Sequence, residues 1–158
     1  MSKPTESKIQ RAMFRPLADR GYSHLTPNVH LFGWESDVIG ITSSGYVVEW
    51  EIKISRADFR RDFSKKRHSD LLSTVLSEGP LQRTASVPSR FFYACPPGVI
   101  AEEEVPEYAG LAYVRPSGLG RETTAPRMTR SKARKSQRTA LAKSLMWDAW
   151  TKRPIGTR

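Results

Sequence analysis

A single cysteine, Cys95, leaves the chain unable to form an internal disulfide and without a nearby second thiol to begin a structural zinc site. Its expected state is a buried thiol. No run of ~18 apolar residues occurs, and the opening MSKPTESK lacks the apolar stretch of a secretory signal, so a cytoplasmic protein with no membrane partner is expected. Acidic residues are also scarce, 16 Asp and Glu against 26 Lys and Arg in 158 residues, for a net charge of +10. With 38% hydrophobic and 27% charged residues, this composition argues against wholesale disorder. The length suits one core rather than a multidomain machine.

The positive surplus sits at one end. Residues 1–120 hold 15 basic and 14 acidic residues, whereas 121–158 hold 11 and 2, giving +1 and +9. The cluster Arg127, Arg130, Lys132, Arg134, Lys135, Arg138 and Lys143 can attract phosphates without reading bases. Ser, Thr and Arg interleave there without the long apolar runs that would anchor a membrane face. Nucleic acid is therefore the expected partner, with RNA and DNA both open.

Thr5 is placed to cap a first helix running toward Asp19, with Ile9, Met13 and Leu17 on one stripe and Gly21 beyond its end. Glu6 begins that helix near the stripe's edge, an awkward place for a lone carboxylate. Residues 21–28 read as a connection. Residues 29–41 and 46–54 read as two strands joined through Ser43, Ser44 and Gly45, a loop suited to a hairpin. Ser55 and Asp58 have the form of a capping box for a charged helix sealed by Phe59 and Phe63. His68, Leu71, Leu72, Val75 and Leu76 are expected to continue it until Gly79 and Pro80 stop it, with a loop over 81–89.

Arg90–Cys95 and Leu111–Val114 read as further strands, and 117–130 has a linker's Gly, Thr, Pro and Arg content. The three glutamates 102–104 read as a solvated loop, because adjacent side chains of a strand cannot all point inward. A last helix over 136–150 has Leu141, Leu145, Met146, Ala149 and Trp150 as its apolar face, for docking on the core or forming a homodimer. The tryptophans 34, 50, 147 and 150 are expected to pack rather than stack on bases.

If Thr42 faces Tyr46 in the hairpin, Asp37 falls opposite Glu51 and Glu35 opposite Lys53, all on one face. The other face collects Tyr46, Val48, Trp50, Ile52 and Ile54 with Phe32, Trp34 and Val38, an apolar layer for helices. Two carboxylates on adjacent strands can share a divalent cation. Mg²⁺ takes oxygen ligands and keeps waters, which leaves room for phosphate oxygens and an attacking water. Lys53 can orient or deprotonate that water and stabilise charge on the phosphate. Glu6 can add a third carboxylate if the first helix packs beside the hairpin, and bound metal would relieve the mutual repulsion. Glu35 is open to replacing a ligand, binding a second cation or pairing with Lys53. Glu49 is expected to stay outside direct ligation. His68 is read as an ordinary helix histidine, with phosphate binding or proton transfer as the other role.

The stretch Trp34-Glu-Ser-Asp37 through Val48-Glu-Trp-Glu-Ile-Lys53 resembles the PD-(D/E)xK nuclease superfamily, with Ser36 standing where a proline usually precedes the aspartate. A closer resemblance is to MmcB-like proteins associated with DNA repair and to related phage proteins. It is carried by residues 34–40, 51–59, 66–68, 92–98 and 104–111 and covers roughly residues 30 to 114. The resemblance implies an α/β, restriction-endonuclease-like fold, a mixed sheet flanked by helices. The nuclease-like core would span 1–116, with 117–158 a basic linker and C-terminal helix attached to it. It further implies a Mg²⁺- or Mn²⁺-dependent deoxyribonuclease of phage or bacterial DNA repair, in the host cytoplasm if phage-encoded. Asp37, Glu51 and Lys53 would occupy the motif and Glu6 the acidic position of the first helix. In that reading Arg56, Arg60, Arg61, Lys65 and Lys66 hold the flanking backbone, while Arg130, Lys132, Arg134, Lys135 and Arg138, outside the resemblance, are expected to bind nucleic acid through their charge. The competing reading is a non-catalytic nucleic-acid-binding or repair-accessory protein on the same scaffold.

Overall fold

A computed structural model describes residues 3–77 and 86–152. The stop at Gly79 and Pro80 and part of the loop over 81–89 lie outside the described residues. Helix α1 spans Glu6–Asp19, and Thr5 Oγ1 accepts from Lys8 N at 3.3 Å, the N-cap its position predicts. The strands are β1 (Ser23–His30), β2 (Glu35–Ile41), β3 (Val47–Ile52), β4 (Arg90–Cys95), β5 (Ala109–Arg115) and β6 (Gly118–Glu122). They form one mixed sheet in that order, parallel between β3, β4 and β5 and antiparallel elsewhere. A parallel step needs a long crossover. Between β3 and β4 it is supplied by α2 (Arg56–Arg61), a 3₁₀ turn over Asp62–Ser64, and α3 (Lys66–Leu76). Helix α4 (Lys135–Thr151) closes the described chain, and the protein is a mixed α/β fold with its sheet flanked by helices.

The β2–β3 hairpin has the expected register, with Val38 opposite Trp50 and Ile41 opposite Val47. Thr42 N donates to Tyr46 O at 2.8 Å, and Gly45 takes the left-handed conformation (φ +93) that only glycine adopts at little cost. One sheet face packs Val38, Val48, Trp50 and Ile52 on Ile9, Met13 and Leu17 of α1. Burying each such side chain contributes roughly 1.5–3 kcal/mol. At Gly110, an added Cβ would lie 2.6 Å from the Phe92 ring and 2.7 Å from Thr123 O, so the crossing of β4, β5 and the chain after β6 requires glycine there.

Several expectations fail, each for a local reason. The strand expected over 29–41 is two strands broken at Gly33 (φ +92), and the expected connection over 21–28 is mostly β1. Alternation does not carry across that break. Phe32 therefore packs with Ile39, Ile41 and Val47, and Trp34 joins the opposite-face cluster of Phe59, Leu71, Phe91 and Tyr93. Ile54, just past the end of β3, is 45% exposed. The single helix expected after Ser55 breaks at Lys65, whose extended backbone (ψ 148) separates α2 from α3. The linker expected from 117 contains β6, whose ladder to β5 outweighs the intrinsic bias of its glycines. On α4 only Leu141 is buried, while Met146 and Trp150 of the expected apolar face, and Trp147 beside them, stand exposed. Among the described residues no helix is long and apolar enough to cross a membrane.

Candidate functional site

The β2–β3 ladder runs as far as Val38 and Trp50, and beyond that pair a side chain replaces the backbone bond. Asp37 Oδ2 accepts from Ile52 N at 2.8 Å. Gln10 Nε2, from α1, donates to Asp37 O at 3.0 Å and so ties the start of β2 to the helix. Glu6, one turn earlier on α1, is near enough to the Asp37 carboxyl to act on it electrostatically. Asp37 is pushed up to about 8, first by burial and then by the charge of Glu51; the Ile52 N–H opposes the shift and Glu6 adds to it. Glu51 and Glu6 thus both raise Asp37 electrostatically, and among the described residues Asp37 has no ion pair.

Glu51, on β3, and Lys53, just past its end, project to the sheet face away from α1, which is packed rather than open. Lys53 Nζ, 1% exposed as a residue, donates to Asp62 Oδ1 at 2.6 Å and sits 3.5 Å from Glu51 Oε1 and 3.8 Å from Asp58 Oδ1. Arg67 Nη1 lies 3.2 Å from Glu51 Oε2, and Arg67 Nη2 bonds Asp62 Oδ2. Lys65 Nζ reaches Asp62 Oδ1 at 3.0 Å. A phenol chain completes the network. Tyr93 OH donates to Asp62 Oδ2 at 2.9 Å, the Tyr93 and Tyr108 hydroxyls are 3.0 Å apart, and Tyr108 OH is 2.9 Å from His68 Nδ1. On the same face Trp34 Nε1 donates to Glu49 Oε1 at 2.9 Å.

Electrostatics assign these groups different states. Burial works against the Lys53 ammonium, but the bond to Asp62 and the charges of Glu51, Asp62 and Asp58 outweigh it and raise its pKa. Lys53 is therefore held as a cation. Burial disfavours the Asp62 anion too, yet Arg67 and Lys53 overcome that and hold it well below the usual carboxylate range. Glu51 shows the reverse balance, since burial raises it despite Arg67 and Lys53. Glu49 is raised to about 7, chiefly by burial and against the Trp34 bond. Burial pushes the Cys95 thiol up to about 11, which fits its expected inert role.

Other expected residues fall elsewhere. Glu35 is exposed beside His30 on the β1–β2 edge, and the acids nearest Lys53 Nζ are Asp62, Glu51 and Asp58. The basic side chains after β3 are mostly paired, Arg56 with Glu104, Arg61 with Asp58 at 3.5 Å, Lys65 with Asp62, and Lys66 with Asp70 at 3.2 Å. Arg60 is exposed. Glu102–Glu104 form a 3₁₀ turn, and Glu104 accepts from Ala101 N as well as pairing with Arg56. In the C-terminal cluster Arg130, Lys132, Arg134 and Lys135 are exposed and Arg138 half-buried, while Lys132 and Arg127 lie over the Tyr46 ring. Sequence reasoning missed Asp62, Arg67, Tyr93 and Tyr108. Arg67 sits within the distinctive Lys66-Arg-His68, but its acid partners come from β3 and from the turn before α3, a juxtaposition no spacing encodes.

Asp37 and Glu51 supply oxygen donors from adjacent strands; Glu51 Oε2 makes no hydrogen bond but is ion-paired with Arg67 Nη1 at 3.2 Å. Glu51 already belongs to the Arg67–Lys53–Asp62 network, so among the described residues Asp37 alone offers a carboxylate without an ion pair, an oxygen donor of the kind a hard divalent cation takes. Among the described residues no three His, Cys, Asp or Glu side chains gather closely enough to form a ready-made metal cage. Solvent or substrate oxygens would have to complete the coordination.

No protein-family model matches the chain, and no curated protein matches it. A solved structure of a protein of unknown function from Silicibacter pomeroyi aligns over 99% of this chain and 100% of its own, with a TM-score of 0.59 at 17% identity. That likeness concerns the fold alone. A repair endonuclease from Pyrococcus abyssi aligns over 61% of this chain and 39% of its own, with a TM-score of 0.40 at 19% identity.

Proposed function

We propose that the protein is a metal-dependent nuclease that hydrolyses DNA phosphodiesters, with Asp37 and Glu51 holding Mg²⁺ or Mn²⁺ and Glu6 completing the acidic set. The supporting observation is that Asp37, where β2 and β3 part, sits in the field of Glu51 and Glu6 and has no ion pair among the described residues. A bound divalent cation supplies Lewis acidity and an activated water. The chain's own groups then have distinct duties. Ile52 N–H fixes the Asp37 carboxylate, and Gln10 anchors the backbone behind it. Lys53, held protonated, contributes positive charge near Glu51 rather than acting as a base. Arg67 and Asp62 brace Glu51 and Lys53 from behind.

The burial of Lys53 against Asp62 favours a second reading, a nucleic-acid-binding repair accessory in which the motif lysine is purely structural. One assay separates the two. Wild type, Asp37→Asn and Glu51→Gln are incubated with linear, nicked, single-stranded and branched DNA in Mg²⁺, Mn²⁺ or EDTA. The nuclease reading expects metal-dependent cleavage that falls at least about 100-fold in either variant. Salt-sensitive binding without cleavage on any substrate would leave the accessory role instead.

A further inference from the structure

We propose that the cleft between α1, β1 and the C-terminal end of α4 receives one unpaired nucleobase of the strand whose phosphate lies at Asp37, making the substrate single-stranded or flapped rather than continuously paired. This rests on the nuclease reading of Asp37 and Glu51. The cleft has a volume of about 430 Å³, within the range of small-ligand sites, and Phe14, Gln10, Asn28, Val38 and Lys152 are among its lining residues. It opens beside the start of β2, because Val38, which lines it, follows Asp37 and Gln10 bonds the Asp37 carbonyl.

Its polar end is built and incompletely used. Gln10 Nε2 donates to both Asn28 Oδ1 (2.9 Å) and Asp37 O (3.0 Å), which occupies both amide hydrogens. Gln10 Oε1 and Asn28 Nδ2 then remain as an acceptor and a donor with no partner among the described residues. Asn28 is held at φ +48, a left-handed conformation uncommon inside a strand. A neighbouring acceptor and donor match the edge of a nucleobase, whose ring nitrogens and exocyclic groups offer the complement. Phe14 stands 58% exposed on a helix whose Ile9, Met13 and Leu17 are buried, so its ring is available for a base to stack on. Such stacking is indifferent to base identity. A base in an intact duplex would first have to be extruded, whereas one in a single strand is already free.

The test is binding in EDTA, which needs no cleavage. A short oligothymidylate is compared with an abasic strand of equal phosphate count and with a duplex, each titrated against wild type, Phe14→Ala and Phe14→Tyr. Wild type is expected to hold the strand with bases about tenfold more tightly than the abasic strand. That preference should largely disappear in Phe14→Ala and persist in Phe14→Tyr, with unchanged melting temperatures because the side chain is exposed. Equal affinity for the two single strands, or tighter binding of the duplex, overturns the proposal. So does a base preference that survives in Phe14→Ala, which would point to Trp147 and Trp150 as the stacking surface. Cleavage in Mg²⁺ without base preference sinks the cleft alone, and base preference with no cleavage on any substrate sinks the nuclease reading alone.

Discussion

Asp37 and Asp62 are the same amino acid in opposite electrostatic settings. Asp62 is ringed by Lys53, Lys65, Arg67 and the Tyr93 hydroxyl, whereas Asp37 faces Glu51 and Glu6 with only a backbone N–H to offset them. Because the Asp37 pKa is raised from 3.8 to about 8, the folded metal-free protein binds a proton that the unfolded chain has released between those values. Its stability therefore falls as pH rises through that window. Asp37→Asn removes the linkage, so in EDTA the variant is expected to be more stable than wild type at pH 8, by on the order of a few kcal/mol. The gain should vanish near pH 4. Denaturant titrations at the two pH values read it directly, and Mg²⁺ should raise the wild-type melting temperature more at pH 8 than at pH 5, since metal and proton compete for one carboxylate. The hairpin register that brings Asp37 to Glu51 was legible from the Thr42–Tyr46 turn. The partners of Lys53 were not, because Asp62 and Arg67 reach it only after α2 and α3 fold back across the sheet.

Periodicity foretold the elements that bury a clear stripe and misread those whose apolar residues find no neighbour. Helix α1 satisfies its pattern, with Ile9, Met13 and Leu17 all at most 3% exposed. Helix α4 does not, for Leu141 is its one buried residue, packing with Val29, Ile39, Ile41 and Val47. Leu141→Ala is accordingly expected to cost about 2–5 kcal/mol through the cavity it leaves. Met146→Ala, on the outward side at 61% exposure, should change stability by no more than about 0.5 kcal/mol. Equal losses in urea unfolding would mean that Met146 is covered in solution, as it would be in a homodimer. The break at Lys65 has a similar lesson, since a continuous helix was the natural reading of a charged stretch without Pro or Gly.

At the scale of the molecule, charge is divided between a nearly neutral sheet region and a strongly basic last quarter. Arg130, Arg134 and Lys135 are exposed and free to meet phosphates, whereas most bases after β3 are already paired with acids. Replacing these three with Ala is expected to flatten the dependence of log affinity on log salt by about 0.7 per lost single-strand contact, measured by fluorescence anisotropy. An unchanged slope would remove the C-terminal cluster from the interface. The amino-acid sequence by itself determined the first helix, the hairpin register, the strands at 90–95 and near 111–114, and the side of β3 on which Glu51 and Lys53 lie. Those properties follow from caps, turns and alternation over a few neighbouring residues. Only the tertiary structure decided that this side is buried, that Lys53 belongs to Asp62, and that a cleft opens beside Asp37. Each depends on which distant segments the sheet brings together, and local spacing carries no record of that.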